Sequence, residues 1–233
     1  MGQVSRVRRG VFMSKAVVLL SGGQDSTTCL FWAKQNFDEV EAIGFNYGQM
    51  HIQEIKQAEK IAKEAGVNYE IFNVKDLLAK SSLTEHSDHN EASYIDKDLP
   101  ASFTSGRNIL FLTIAGSYSA ERGVNDIITG VCQTDYSGYP DCRKTTIDAM
   151  QNTLSLGYGN GDYRIHTPLM YLNKAETWKL ANDLNCLDVI INDSLTDYDG
   201  DMTLNEWGRG KADNPASELR MKGYYEAKDK GWV

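Results

Sequence analysis

The sequence predicts an α/β fold: a parallel sheet with helices on both faces, ending in a small polar C-terminal appendage. Three observations predict it. A continuous apolar run, Ala16 to Leu20, stops abruptly at Ser21-Gly22-Gly23, as expected of a strand buried on both faces. Runs of that kind then alternate with stretches whose apolar residues recur every three or four positions, which implies parallel strands joined by right-handed crossovers. The 233 residues, 41% of them hydrophobic, suffice for one domain with a sizeable core.

After the first strand, Ser26 to Asn36 reads as a helix with Cys29, Leu30 and Ala33 on its apolar stripe. Val40 to Asn46 is the second strand. His51 to Ala65 places Ile52, Ile55, Ala58, Ala62 and Ala65 on one helical face, with Gly66 as the stop; His51, followed by Ile52 and Glu54, reads as lying on an exposed helix end. Val67 to Val74 is the third strand. Ser81 to Ser105 is a long polar and acidic stretch of the kind that is more often functional or mobile than idle, and its His86, Asp88 and His89 read as loop residues. Periodicity resumes with a helix over Arg107 to Arg122, a strand over Asp126 to Gly130, helices over Thr145 to Leu156 and Lys174 to Leu184, and an extended Arg164 to Pro168 between those two. Beyond Asp193 the chain is polar and punctuated by Asp199-Gly200, Gly208, Gly210 and Asn214-Pro215, so it reads as an appendage rather than sheet. The expected organisation is a flexible extension at 1–14, the main domain at 15–192 and the appendage at 193–233.

A net charge of −8 argues against nucleic acid as a partner, because such binding needs an excess of phosphate-neutralising cations. The four cysteines, Cys29, Cys132, Cys142 and Cys186, are scattered without paired short spacings, which fits a reducing compartment. No window approaches the ~20 apolar residues of a membrane span, and the basic start of the chain lacks an apolar signal region. A cytoplasmic protein with no membrane partner is expected.

The chemistry centres on Ser21-Gly22-Gly23-Gln24-Asp25-Ser26. Adjacent glycines allow a sharp turn that presents N–H groups, the serine hydroxyls add donors, and the following helix aims its positive end at the same spot. This is an anion cradle, and it is neither the Walker nor the dinucleotide pattern. The segment resembles the Ser-Gly-Gly-x-Asp-Ser signature of the PP-loop ATP pyrophosphatases, which implies a HUP-type sheet and cleavage of ATP to AMP and pyrophosphate. Four further blocks narrow the resemblance: Phe45-Asn46-Tyr47-Gly48-Gln49, Ser105-Gly106-Arg107-Asn108, the stretch Gly130 to Arg143, and Thr167-Pro168-Leu169-Met170 with Lys174-Ala175-Glu176-Thr177-Trp178. From about Lys15 to about Thr196 the chain is similar to the 7-cyano-7-deazaguanine synthase family.

That resemblance implies an ATP-dependent carbon–nitrogen ligase of queuosine or related deazaguanine biosynthesis. Its substrates would be 7-carboxy-7-deazaguanine and ammonia, with ATP and Mg²⁺ as cofactors, and the enzyme would be a homodimer. It implies ATP contacts at Leu20, Ser21, Gly22, Gly23, Gln24, Asp25, Ser26, Thr27, Thr28, Cys29 and Leu30. Asp25, Arg107 and Lys174 would be catalytic, with Asp25 ordering the loop or helping to hold Mg²⁺ and Lys174 contacting phosphate. Arg107 offers a planar fork for a phosphate or a carboxylate. Tyr47, Gln49, Gln133, Thr134, Asp135, Tyr136, Ser137, Tyr139 and Asp141 would bind the deazaguanine, about half of the 134–141 set by direct contact and the rest by shaping the loop.

The chain departs from the family at its C-terminal zinc site. Where four cysteines are expected stand Asp197, Lys211, Asn214 and Ser217. Lysine, asparagine and serine do not supply the thiolate or imidazole that tetrahedral zinc favours, so zinc is expected to be absent and the tail to be fixed otherwise. Asp197, Asp199 and Asp201 read as solvated acids, since Gly208 stands where a calcium loop needs its twelfth-position Glu. Gln133 stands where the family has Glu, and Thr104-Ser105 where it has an apolar residue. These departures leave open a relative that stops at 7-amido-7-deazaguanine, or a non-catalytic nucleotide-binding subunit. A tRNA-thiolating relative is disfavoured by the absence of a basic region and of paired thiols.

Overall fold

A computed structural model describes residues 13–49, 52–78, 81–84, 99–134, 138–159 and 161–233. The expected extension up to residue 12, together with His51, His86, Asp88, His89, Asp135, Tyr136 and Ser137, lies outside the described residues.

The first strand, β1 (Lys15–Leu19), runs into α1 (Gln24–Asn36), β2 (Glu39–Asn46), α2 (Gln53–Ala65) and β3 (Asn68–Asn73). After the long connection come α3 (Arg107–Glu121), β4 (Asp126–Ile128), a 3₁₀ turn at Pro140–Cys142, α4 (Lys144–Tyr158), β5 (Arg164–His166) and α5 (Lys174–Asp183). The five strands form a parallel sheet in the order β3-β2-β1-β4-β5. Because β1 is central, it is buried on both faces, as its unbroken apolar run requires. Val17 and Leu19 pack with Leu112 and Ala115 of α3 and Ile147 and Leu154 of α4. Ala16, Val18 and Leu20 pack on the other face with Cys29 and Leu30 of α1 and Ala58 and Ile61 of α2. Gly66 closes α2 at φ 69°, a left-handed stop that glycine adopts without steric cost.

The region expected as a polar appendage is built into the fold. After α6 (Leu187–Asp193) the chain makes a short antiparallel hairpin, β6 (Leu204–Asn205) with β7 (Gly208–Arg209), and then a 15-residue helix, α7 (Pro215–Asp229). Trp178 of α5, Ile190 of α6, Trp207 and Tyr224 of α7 share a third apolar core. The Trp178 and Tyr224 rings meet edge to face at 5.1 Å. The backbone of α7 comes so near α5 at Gly223 that a Cβ there would stand 2.6 Å from Lys174 Cγ.

At the far end of the sheet, Arg164 Nε and Nη2 each donate to one Asp126 oxygen at 2.7 Å, and His166 Nε2 lies 2.7 Å from Asp126 Oδ1. Burial pushes the Asp126 carboxyl up, but the His166 and Arg164 bonds outweigh it and hold the group at about 2. A depressed carboxylate stabilises the fold above its unfolded value near 4 and loses that contribution as pH falls through about 2. Asp126→Asn is therefore expected to melt below wild type at about pH 6, with the gap closing on acidification toward about pH 2; thermal melts across that range check it.

Candidate active site

The chain passes from β3, at one edge of the sheet, back across to β4 beside β1. A crevice opens where strand order reverses, at the carboxyl ends of β1 and β4, and this is where open α/β sheets bind ligands. A cavity of about 680 Å³ fills that crevice. Its floor includes Leu20 and Ser21 after β1, Phe45 and Tyr47 from the end of β2, and Thr129 and Gly130 after β4.

One end is the serine-glycine loop. Ser26 Oγ accepts the Ser21 N–H at 3.1 Å, donates to the Gly23 carbonyl at 3.2 Å and lies 3.0 Å from Ser21 Oγ, so the two hydroxyls are locked at the start of α1. Lys174, at the start of α5, reaches both Asp25 oxygens, at 3.0 and 2.9 Å. Ser21, Gly23, Gln24, Asp25, Ser26 and Lys174 all line the cavity. The structure thus brings together an anion cradle, a carboxylate and a cation at one end of the cavity.

The opposite end is aromatic. Phe45 stacks on Phe111 with ring centroids 4.0 Å apart and an interplanar angle of 4°. Tyr47 and Tyr139 complete the wall with Tyr198 from the tail. Tyr139 and Ser102 hydroxyls are 2.6 Å apart. Arg107, the first residue of α3 after left-handed Gly106, lies over the Tyr47 ring at 5.7 Å. Burial works against its charge, yet the oxygens of Tyr47, Tyr139, Asp141 and Tyr198 raise its pKa above the ordinary value, so it remains a cation. Burial pushes Tyr47 up to about 12, and Gln49 fixes its position by accepting the Tyr47 N–H at 3.0 Å.

Several expected contacts fall elsewhere. Thr27, Thr28, Cys29 and Leu30 do not line the cavity: they are fully buried in α1, and Cys29 and Leu30 lie in the core against the sheet. Gly22 does not wall the cavity; at φ 90° it faces α2, where a Cβ would stand 2.4 Å from the Glu54 carbonyl oxygen. Gln133 caps α4 by accepting the Lys144 N–H at 3.0 Å, and Thr134 donates to the Leu172 carbonyl. Asp141 accepts the Asn108 N–H at 3.0 Å and so holds the first turn of α3, which carries Arg107. These three side chains support the loops around the cavity.

Two parts of the site went unread in the sequence. Glu54, in the first turn of α2, lines the cavity. Burial raises its carboxyl to about 7, with Arg107 opposing and Asp197 adding to the rise. The second part is the strap Leu195–Tyr198, which crosses the loop: Leu195 N–H donates to the Gly22 carbonyl at 2.9 Å, and Thr196 Oγ1 accepts the Gln24 N–H at 3.0 Å. Behind the strap, fully buried Arg220 of α7 donates to Thr196 Oγ1 and to the carbonyls of Ile190, Ser194 and Trp207 at 2.7 to 3.3 Å. Burial lowers its pKa to about 9 while Asp25 acts in the opposite sense.

The four positions expected as zinc ligands in the family still converge. Asp197 is buried, and its carboxylate accepts the N–H groups of Asp199 at 2.9 Å and Lys211 at 3.2 Å. Lys211 Nζ pairs with Asp201 at 2.8 Å. Asn214 Oδ1 accepts the Ser217 N–H at 3.2 Å as the N-cap of α7. A carboxylate already committed to backbone donors, an ammonium, a capping amide and a hydroxyl do not fit tetrahedral zinc. Hydrogen bonds from Asp197 and Asn214 tie the tail at this point.

Comparison with known proteins agrees with this geometry. The family described as "Queuosine biosynthesis protein QueC" matches residues 15–228. Among solved structures, the chain is similar to a predicted subunit of tRNA methyltransferase from Methanocaldococcus jannaschii, at 17% identity over 73% of this chain and 75% of that one, TM-score 0.46. It is similar to an NH3-dependent NAD synthetase from Campylobacter jejuni at 19% identity over 78% and 69%, TM-score 0.46. For the NMN synthetase from Francisella tularensis the values are 15% identity over 94% and 87%, TM-score 0.47. With its serine-glycine loop set at the strand-order reversal and the family match running through nearly all the described elements, the chain belongs to the QueC family of queuosine biosynthesis proteins.

Proposed function

We propose that the protein converts 7-carboxy-7-deazaguanine to 7-cyano-7-deazaguanine with ammonia and ATP. The observation that carries this reading is the two-ended cavity: a phosphate cradle with the Asp25–Lys174 pair at one end, a cation among aromatic rings at the other. A carboxylate resists nucleophiles because oxide is its leaving group, and ATP removes that obstacle. The carboxylate oxygen attacks the α-phosphorus, pyrophosphate departs, and ammonia displaces AMP from the acyl carbon to give the amide. A second adenylation, on the amide oxygen, allows loss of AMP and a proton to form the nitrile.

The residues divide this work. Ser21, Gly23 and Ser26 cradle the phosphates, and Lys174 neutralises charge that develops on departing pyrophosphate. Asp25 is the carboxylate placed to hold Mg²⁺, which when bound shares that neutralisation. Arg107 orients the substrate acid, and Tyr47, Phe111 and Tyr139 cover the flat ring system. The amide-only alternative drew on Gln133, which caps α4 away from the cavity wall, so the nitrile reading is preferred. Incubation with 7-carboxy-7-deazaguanine, ATP, Mg²⁺ and ammonium, with products resolved by mass, is expected to yield AMP and the nitrile. Accumulation of the amide, or ATP binding without AMP release, would replace this reading with one of its rivals.

A further inference from the structure

We infer that Glu54 is the proton acceptor for the nitrogen donor: it takes a proton from ammonium beside the reacting carbon and so generates the attacking ammonia inside the cavity. The inference rests on the proposed reaction and deepens it. Ammonium, the form that prevails at neutral pH, has no lone pair, so a base must act before a carbon–nitrogen bond can form.

Glu54 stands where that base is needed. The reacting carbon must lie between the phosphates, held at Ser21 to Ser26, and the substrate end, held by Arg107. Glu54 belongs to the wall between them: its backbone carbonyl abuts Gly22 of the phosphate loop, and its carboxyl feels the charge of Arg107. The other acids on the wall are engaged, Asp25 with Lys174 and Asp197 with the N–H groups of Asp199 and Lys211. Glu54 forms no side-chain hydrogen bond or ion pair among the described residues.

The groups that act on it from neighbouring elements are Arg107 at the start of α3, Asp197 of the strap, Tyr47 after β2 and Tyr69 of β3. Burial and Asp197 favour the protonated acid and Arg107 the carboxylate, which leaves a group able to take up and release protons near neutrality. One proton passes from ammonium to the Glu54 carboxylate. The lone pair exposed on nitrogen forms the bond to the acyl carbon as the carbon–oxygen bond to AMP breaks, its electron pair leaving on the phosphate oxygen. The second proton shed by the new amide nitrogen goes to water, and Glu54 returns its own proton to solvent before the next turnover.

The test compares Glu54→Gln with wild type, as full chains, using ammonium and hydroxylamine as nitrogen donors across about pH 6 to 9. Hydroxylamine is mostly neutral at about pH 7 and needs no base to expose its lone pair. The variant is expected to lose about 100-fold in kcat with ammonium at about pH 7 and to recover as rising pH supplies free ammonia, while its hydroxylamine rate falls less than about 5-fold. Glu54→Asp, which keeps the acid one methylene back, is expected to regain part of the ammonium rate. Equal losses with both donors, or an unchanged ammonium rate, would overturn the inference with the proposed reaction intact. No acyl transfer to either donor in wild type would overturn the reaction and the inference together.

Discussion

Asp25→Ala is expected to reduce AMP formation by at least about 1000-fold while the protein stays folded. Asp25 sits in the first turn of α1 and takes both of its hydrogen bonds from Lys174, whose side chain is only 8% exposed. Removing the carboxylate releases the Lys174 ammonium from its position beside the serine-glycine loop and deletes the group proposed to hold Mg²⁺. Stability suffers less, because the pair borders an open cavity where water replaces the lost partner; about 1–2 kcal/mol is expected, well short of the cost of stranding a charge in a sealed core. Chromatographic assay of AMP alongside a thermal melt separates the two effects. Turnover near the wild-type rate would refute the assignment of Asp25.

Arg220→Met is expected to cost about 3 kcal/mol, a fall in Tm of about 6–12 °C, and to weaken ATP binding as well. The guanidinium is wholly buried and bonds to four oxygens drawn from α6, the strap and the hairpin region. Methionine fills much of the same volume but leaves those acceptors without donors in a place water does not reach. Thr196 Oγ1 accepts from Arg220 and from the Gln24 N–H alike, so the loss reaches the phosphate loop. Melting curves and an ATP titration measure the two parts. An unchanged Tm would show that the buried charge contributes nothing net to holding the tail.

How much of this was legible in the sequence depends on whether the signal is local. Val17 and Val18, wholly buried, announce β1 because a central parallel strand must be apolar on both faces. The Ser21 to Ser26 loop is legible because its chemistry lies in six consecutive residues. Helix α7 was hidden because its buried face reads Ser217, Arg220, Gly223, Tyr224 and Ala227, spaced as a helix but mostly not apolar. Its start, Asn214-Pro215, reads as a turn, although an Asn cap followed by Pro at the first helical position is equally a way to begin a helix. Thr27 to Leu30 directly follow the serine-glycine loop in sequence, but helical periodicity turns their side chains into the interior, which nearness in sequence does not reveal. Glu54 escaped notice because the cavity it lines and the charges that act on it, Arg107 and Asp197, come from segments remote in sequence.

The strap bond from Thr196 to Gln24 spans 172 positions. The nascent chain therefore presents its serine-glycine loop long before the ribosome has made the segment that walls it in. Until Arg220 has left the exit tunnel, the loop lacks both the strap that crosses it and the guanidinium that holds the strap from behind.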